Sequence, residues 1–350
     1  MTRRAWEGIW DDLGSEQGYT GFSCPLEPFD ESLAQMIAGE YARSVLSVFV
    51  ERFAHVLSKN SLDELFSKLL NADLPLELAW SSELGNLYQA TRLGDEDHAL
   101  KTAAAFALMT GAKDFSDEWQ LDLSKKFFSE ERLQSFGSGK RRLFLLPRSA
   151  AIESGLFRDV DFADAALETF SPDLIETLTH ALDLLKEHLP HYFDWVVRII
   201  RRVAVLHFER NVLHSGNHEH QYGTIHISDN SRVLSLAEML IHEASHQYFE
   251  LLNKLGPTVD PGHTELYYSP VKQCDRPLHK ILLAYHAFAN VMLFYRGVAE
   301  CGLADSSSAK FQSVLNDELR QLEQPLLDND AILPIGRALV GPLIERRVCQ

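Results

Sequence analysis

Cysteine is scarce in this chain. The four that occur, Cys24, Cys274, Cys301 and Cys349, lie far apart and form no CxxC pair. That argues against a disulfide framework or a zinc ribbon and points to a reducing cytoplasm. Basic residues are also short: 33 Lys and Arg against 50 Asp and Glu leave a net charge of −17. A chain of that sign repels nucleic acid and anionic membranes unless a local basic patch intervenes. The candidates, Lys140-Arg141-Arg142 and Arg198 with Arg201-Arg202, are short and read as solvated faces. No apolar run approaches the roughly 18–20 residues of a membrane span. The basic start, Met1-Thr-Arg-Arg, lacks the apolar stretch of a signal peptide. Internal repeats and low-complexity tracts are missing as well.

What is present is ordinary globular composition, 45% hydrophobic and 24% charged, in a chain long enough for one large domain or two moderate ones. The first part reads as helical. Leu33, Met36, Ile37, Tyr41, Val45, Val48 and Phe53 recur at helical spacing, and Ser61 with Glu64 forms a capping-box pattern before the next helix. Helical patterns continue over 75–93 and 95–108. A flexible break at Phe136-Gly-Ser-Gly-Lys140 precedes a buried strand at Leu143-Phe-Leu-Leu-Pro147, which places a boundary near residue 140. Beyond it, Ser171-Pro-Asp opens a helix to Leu189, with a further helix over 192–200. Val203 to Phe208 and Tyr222 to Ser228 read as strands, the second alternating Thr224 and His226 against Ile225 and Ile227. A helix runs from about Ser235 to Leu255 and stops at Gly256-Pro257; after a proline-containing loop, Arg276-Pro277 opens another, to about Glu300. Weaker helices near 308–323 and 335–346 finish the chain.

The chemistry concentrates on His242-Glu243-Ala244-Ser245-His246. HExxH sets two imidazoles one turn apart on one helical face, where both can bind one cation. With 15 His in the chain, chance supplies the pattern only about 0.05 times. The surrounding Leu236, Met239, Leu240, Tyr248, Phe249 and Leu252 give the helix an apolar body. A metal site needs a third ligand, and three residues offer one. Glu265 follows at the spacing of gluzincin aminopeptidases, but in a loop. His279 and His286 share a face of the next helix, whose other stripe (Leu278, Ile281, Leu282, Tyr285, Ala289, Met292) is its natural core face. His286, deeper in the helix, is the favoured ligand; His279, near its start, suits a group facing a cofactor. The cluster His214, His218, His220 reads as a polar hairpin loop, and His226 as a structural strand histidine.

From Gly223 to about Val291 the chain resembles the HExxH-type 2-oxoglutarate-dependent peptide β-hydroxylases, the HExxH-motif peptide-modification proteins of natural-product clusters. The residues that carry the resemblance are Gly223-Thr-Ile-His-Ile-Ser228, Leu236 through His246, Tyr268-Ser-Pro270, Asp275-Arg-Pro-Leu278 and Ala287-Phe288. One departure is Leu283, where relatives place a histidine, so that His286 or His279 has to substitute. The resemblance implies an Fe(II)- and 2-oxoglutarate-dependent oxygenase that hydroxylates a side-chain carbon of a ribosomally synthesised precursor peptide. Three protein ligands on iron leave room for a bidentate cosubstrate and O₂. Arg276 is the expected partner of the distal carboxylate, with Tyr268 and Ser269 as hydrogen-bonding groups and Lys272 and Lys280 as the next cations. His286 lies about 15 Å of helix rise from Arg276 and His279 about 4.5 Å, so the choice of ligand sets the reach asked of the arginine. The alternative is a zinc metallopeptidase in which Glu243 is the general base. The expected fold is α+β and predominantly helical: a helical N-terminal region, 1–140, before a catalytic domain, 141–350, with a zincin-like strand and HExxH-helix core.

Overall fold

A computed structural model of the chain describes residues 19–59, 62–109, 134–136, 143–153, 160–208, 213–218, 220–230 and 232–348. Its helices and strands begin with α1 (Thr20–Ser23), α2 (Glu31–Lys59), α3 (Asp63–Leu70), α4 (Leu76–Ala79), α5 (Ser82–Leu93) and α6 (Glu96–Met109). Next come β1 (Gln134–Phe136), β2 (Leu143–Leu146), α7 (Arg148–Glu153), α8 (Val160–Ala165), α9 (Pro172–His188), α10 (Pro190–Ile199), β3 (Arg202–Leu206), β4 (Ser215–Gly216) and β5 (Thr224–Ser228). The chain then forms α11 (Val233–Leu252), β6 (Leu266–Ser269), β7 (Cys274–Pro277), α12 (Leu278–Glu300), α13 (Ser306–Glu323) and α14 (Pro334–Val348). At 66% helix and 10% strand this is the predominantly helical α+β class expected from the sequence. The helix over 172–188 starts where Ser171 signals it, since the Ser171 hydroxyl accepts from the Leu174 amide at 3.2 Å. The Ser61 cap, the 140–142 basic run and the glycine break at 137–140 lie outside the described residues.

The residues sort into two units, one of Met1–Ile37, Leu184–Val196 and Leu240–Gln350, the other of Ala38–Asp183 and Val197–Met239. The division is therefore not at residue 140. In the second unit β2 pairs in parallel with β3, and Arg202 on β3 is clamped to the Ser82 hydroxyl (2.9 Å) and to Glu83 of α5. Those bonds draw the early helices and the later strands into one body. They also account for Arg202, which is buried in an ion pair and not part of a basic face.

The sheet of this unit has the order β1-β2-β3-β5-β4, with β2, β3 and β5 parallel and the outer strands antiparallel. Every residue of β3 and β5 is buried, as parallel strands covered on both faces require. The alternation read over 224–227 is present, but Thr224 and His226 are as sheltered as Ile225 and Ile227. Gly223 makes the entry to β5 possible. Its φ is +66°, a region that disfavours side chains, and a Cβ there would stand 3.2 Å from the Trp80 carbonyl. Its own carbonyl accepts from the amides of Arg201 (2.8 Å) and Arg202 (3.0 Å).

The first unit is built around α12. The predicted core stripe of that helix, Leu278, Ile281, Leu282, Tyr285, Ala289 and Met292, is buried throughout. So are His286, Ala287, Asn290 and Val291 on its other sides, which makes α12 apolar nearly all round. By length and composition it is the one described helix that could cross a membrane, a feature the sequence reading did not anticipate; 67% of its most apolar window is buried inside the protein. Arg276 and Pro277, expected in the first helical turn, belong to β7. Pro277 is the N-cap, with ψ of 147°, and the helix starts at Leu278. The expected loop before it holds the β6–β7 hairpin, pairing Leu266↔Pro277, Tyr267↔Arg276, Tyr268↔Asp275 and Ser269↔Cys274.

Candidate metal centre

Helix α11 forms because Leu236, Met239, Leu240, Tyr248, Phe249 and Leu252 recur at its period, and all six are buried. His242 and His246 lie on one stripe of this helix, between Met239 and Phe249, and are half-buried. Their Nε2 atoms are 3.1 Å apart, with the rings perpendicular and their centroids 4.7 Å apart. If each nitrogen lay at the usual 2.0–2.1 Å from one shared ion, that separation would subtend about 95–102° at the ion, an angle both octahedral and tetrahedral coordination accept. Beside the pair, Glu243 is 1% exposed and its Oε1 is 4.0 Å from His242 Nε2. The ligand atoms of His242, Glu243 and His246 all lie within 4.8 Å of one another. A buried carboxylate calls for compensating positive charge, which a divalent ion on the two imidazoles would supply. The residues fit a transition metal of the kind imidazole favours, iron or zinc.

Burial holds His242 down to about 4, with the nearby Lys272 ammonium adding to the effect. Burial also pushes His246 well below the usual range, helped by His242, His286 and Lys280. Both imidazoles are therefore neutral near pH 7 and can present a lone pair to a metal. The His242 ring is held edge-on against Phe288 of α12, centroids 5.0 Å apart, and the Ser245 hydroxyl donates to the Ile241 carbonyl at 2.8 Å.

The favoured third ligand is not at this centre. His286 is fully buried, and its Nε2 lies 3.0 Å from the Phe22 carbonyl and 2.9 Å from the Ser23 carbonyl. His286 stands outside the group of ligand atoms formed by His242, Glu243 and His246, and those acceptors require an N–H at its Nε2, which makes that nitrogen a donor. Asn290 Nδ2 joins it, donating to the Ser23 carbonyl at 2.8 Å and to the His286 carbonyl at 2.9 Å. His286 and Asn290 thus clasp the segment around α1 onto α12. His279 and Glu265 are exposed and stand outside the His242-Glu243-His246 group. The Glu265 carboxylate accepts from the Tyr267 hydroxyl at 2.9 Å, which also meets His263 Nε2 (3.0 Å) and Asn329 Nδ2 (3.3 Å).

The β6–β7 hairpin also separates Tyr268 from Ser269, because successive strand residues face opposite sides. Tyr268 turns to solvent and is 51% exposed, whereas Ser269 is buried, its hydroxyl making no hydrogen bond among the described residues. The cations divide as well. The charge of Lys272, in the hairpin turn, acts on His242 and that of Lys280 on both His246 and His279, while Arg276 acts on His279. No model of a known protein family and no curated protein matches this chain, so its chemistry has to be read from these residues.

Proposed function

We propose that this chain is an Fe(II)- and 2-oxoglutarate-dependent oxygenase that hydroxylates a side-chain carbon of a ribosomally synthesised precursor peptide. The observation that carries the reading is the convergence of His242 and His246 Nε2 at 3.1 Å beside the buried Glu243 carboxylate. Two imidazoles with a carboxylate beside them leave positions open on one ion, which suits an ion that completes its coordination with a chelating cosubstrate. When bound, Fe(II) supplies the oxidising chemistry in which O₂ gives one oxygen atom to the peptide carbon and one to succinate, with loss of CO₂ from 2-oxoglutarate.

The protein's own groups have distinct tasks. His242 and His246 hold the ion, and the α11 core fixes their spacing. Lys272 and Lys280 draw the dianionic cosubstrate to the pair, and the inward Ser269 hydroxyl is free to donate to a carboxylate. Arg276, the cation favoured from the sequence, stands with His279 and takes a secondary part. Glu243 is too far from His242 Nε2 for adjacent ligands on one ion, which lie about 3 Å apart. It is placed instead to accept a hydrogen bond from a water or substrate group at the ion. The reading includes a zincin-like core, in that strand β5 directly precedes the HExxH helix in the chain.

A zinc metallopeptidase is the second reading, favoured by one observation: a buried carboxylate next to the histidine pair is where a general base for water would stand. Anaerobic loading with Fe(II), 2-oxoglutarate and a candidate precursor peptide, then exposure to air, separates the two. Gain of one oxygen atom by the peptide, with succinate formed only when iron, 2-oxoglutarate and O₂ are all present, is the expected result. Cleavage fragments in Zn(II) without 2-oxoglutarate would replace this reading with the peptidase.

A further inference from the structure

The β4–β5 hairpin pairs Ser215 with Ile227 and Gly216 with His226. Side chains alternate along a strand and cross-strand partners share a face, so His214 and His218 flank the position of His226. The sequence groups His214, His218 and His220, but the structure regroups them. His220 turns away, its ring 4.7 Å from that of Tyr88 and its Nδ1 3.2 Å from the Tyr222 hydroxyl. His214 and His218 instead stand beside the buried His226, ring centroids 5.3 and 5.2 Å from it. His226 Nε2 and His214 Nε2 face each other at 3.3 Å. Glycine at 216 leaves this space open: a Cβ there would fall 2.7 Å from both Cε1 and Nε2 of His226.

We propose that His214 and His226 hold a second divalent transition-metal ion between their Nε2 atoms, with solvent in its remaining positions. At 2.0–2.1 Å from each nitrogen, the 3.3 Å separation subtends about 104–111° at an ion. That is close to the tetrahedral angle, which makes zinc the natural occupant, and imidazole ligands suit it. The ion clips β4 to β5 at a point where the ladder has two residue pairs. The site shares no ligand with the α11 centre, and its failure would leave the proposed reaction untouched.

Equilibrium dialysis of the full chain against Zn(II), with absorption spectra of the Co(II) form, tests the site. The His242→Ala/His246→Ala double variant removes the first centre and should keep one equivalent of zinc, with the strong visible bands of tetrahedral Co(II). Adding His226→Asn should weaken that binding by about tenfold or more, since even indirect partners of a metal contribute that much. Gly216→Ala keeps every imidazole but sets a methyl group against His226 Nε2, and should weaken binding similarly while circular dichroism shows the fold retained. A double variant that binds no zinc would overturn the site in favour of a metal-free N–H···N pair. So would a residual equivalent that survives His226→Asn unchanged.

Discussion

Replacing His286 separates a metal ligand from a structural clasp. In His286→Ala the Ser23 carbonyl keeps its Asn290 donor at 2.8 Å, but the Phe22 carbonyl loses the imidazole N–H that reached it at 3.0 Å. A buried acceptor left unsatisfied costs about 1–3 kcal/mol. The missing ring also leaves a cavity at a fully buried position beside Phe249, so the total loss should be about 3–5 kcal/mol. His286→Gln restores a donor and most of the volume, and should cost about 1 kcal/mol. The two variants also differ from the wild type in their response to acid. Burial holds His286 at about 4 in the folded protein against 6.5 for an ordinary imidazole. Its folded pKa is depressed, so the unfolded chain takes up the proton first, and stability is lost as pH falls from 6.5 toward 4. The full effect of this one group is about 3 kcal/mol, and it should vanish in His286→Gln, flattening the pH dependence over that window. Urea unfolding at several pH values reads the stability, and elemental analysis reads bound metal, which should be unchanged. A His286→Gln protein that unfolds at the wild-type urea concentration yet has lost its metal would refute the clasp and return His286 to the ligand set.

His242→Ala and His246→Ala should each abolish metal binding at the α11 centre while leaving the far-ultraviolet spectrum near wild type, because the helix keeps the buried apolar residues that hold it. Full occupancy of that centre in either variant, by elemental analysis with the His226→Asn background subtracting the second site, would remove the assignment. Glu243→Gln should retain metal but lower turnover about 10–100-fold, and a loss of metal instead would make Glu243 a ligand. Lys272→Ala and Lys280→Ala should raise KM for 2-oxoglutarate more than Arg276→Lys does, with metal content constant; the opposite ranking in steady-state kinetics would restore Arg276 as the cosubstrate's cation.

The HExxH helix was legible because its signal is local. Two histidines four apart and an apolar body at helical period are properties of one segment, and the buried set from Leu236 to Leu252 follows from them. The α12 core stripe was readable for the same reason. Depth in a helix does not report closeness to the metal, and His286 stands outside the His242-Glu243-His246 group. Its real partners, the carbonyls of Phe22 and Ser23, lie more than 260 residues away in sequence, and no periodicity reports such a pairing. Tyr268 and Ser269 were treated as neighbours in a loop; once that loop is a strand, the alternation sends them apart. The unit division was hidden in the same way, since Arg202 reaches Ser82 and Glu83 across a stretch of chain that contains the apparent boundary. The His214–His226 pairing needed the register of β4 on β5, which a two-residue strand barely announces.

The clasp at His286 also bears on when the metal centre can exist during synthesis. The Ser23 hydroxyl donates to the Leu339 carbonyl at 2.6 Å, across 316 residues of sequence. At about 5–20 residues per second, a ribosome needs roughly 15–60 s between making those two positions. For most of that interval the apolar residues around Phe22 have none of their final partners on α12, and until its end none on α14, while α11 and its histidines are made before α12. A nascent chain paused before α12 should therefore bind metal poorly and be readily cut by protease near Phe22, and both properties should change together once Leu339 has cleared the exit tunnel.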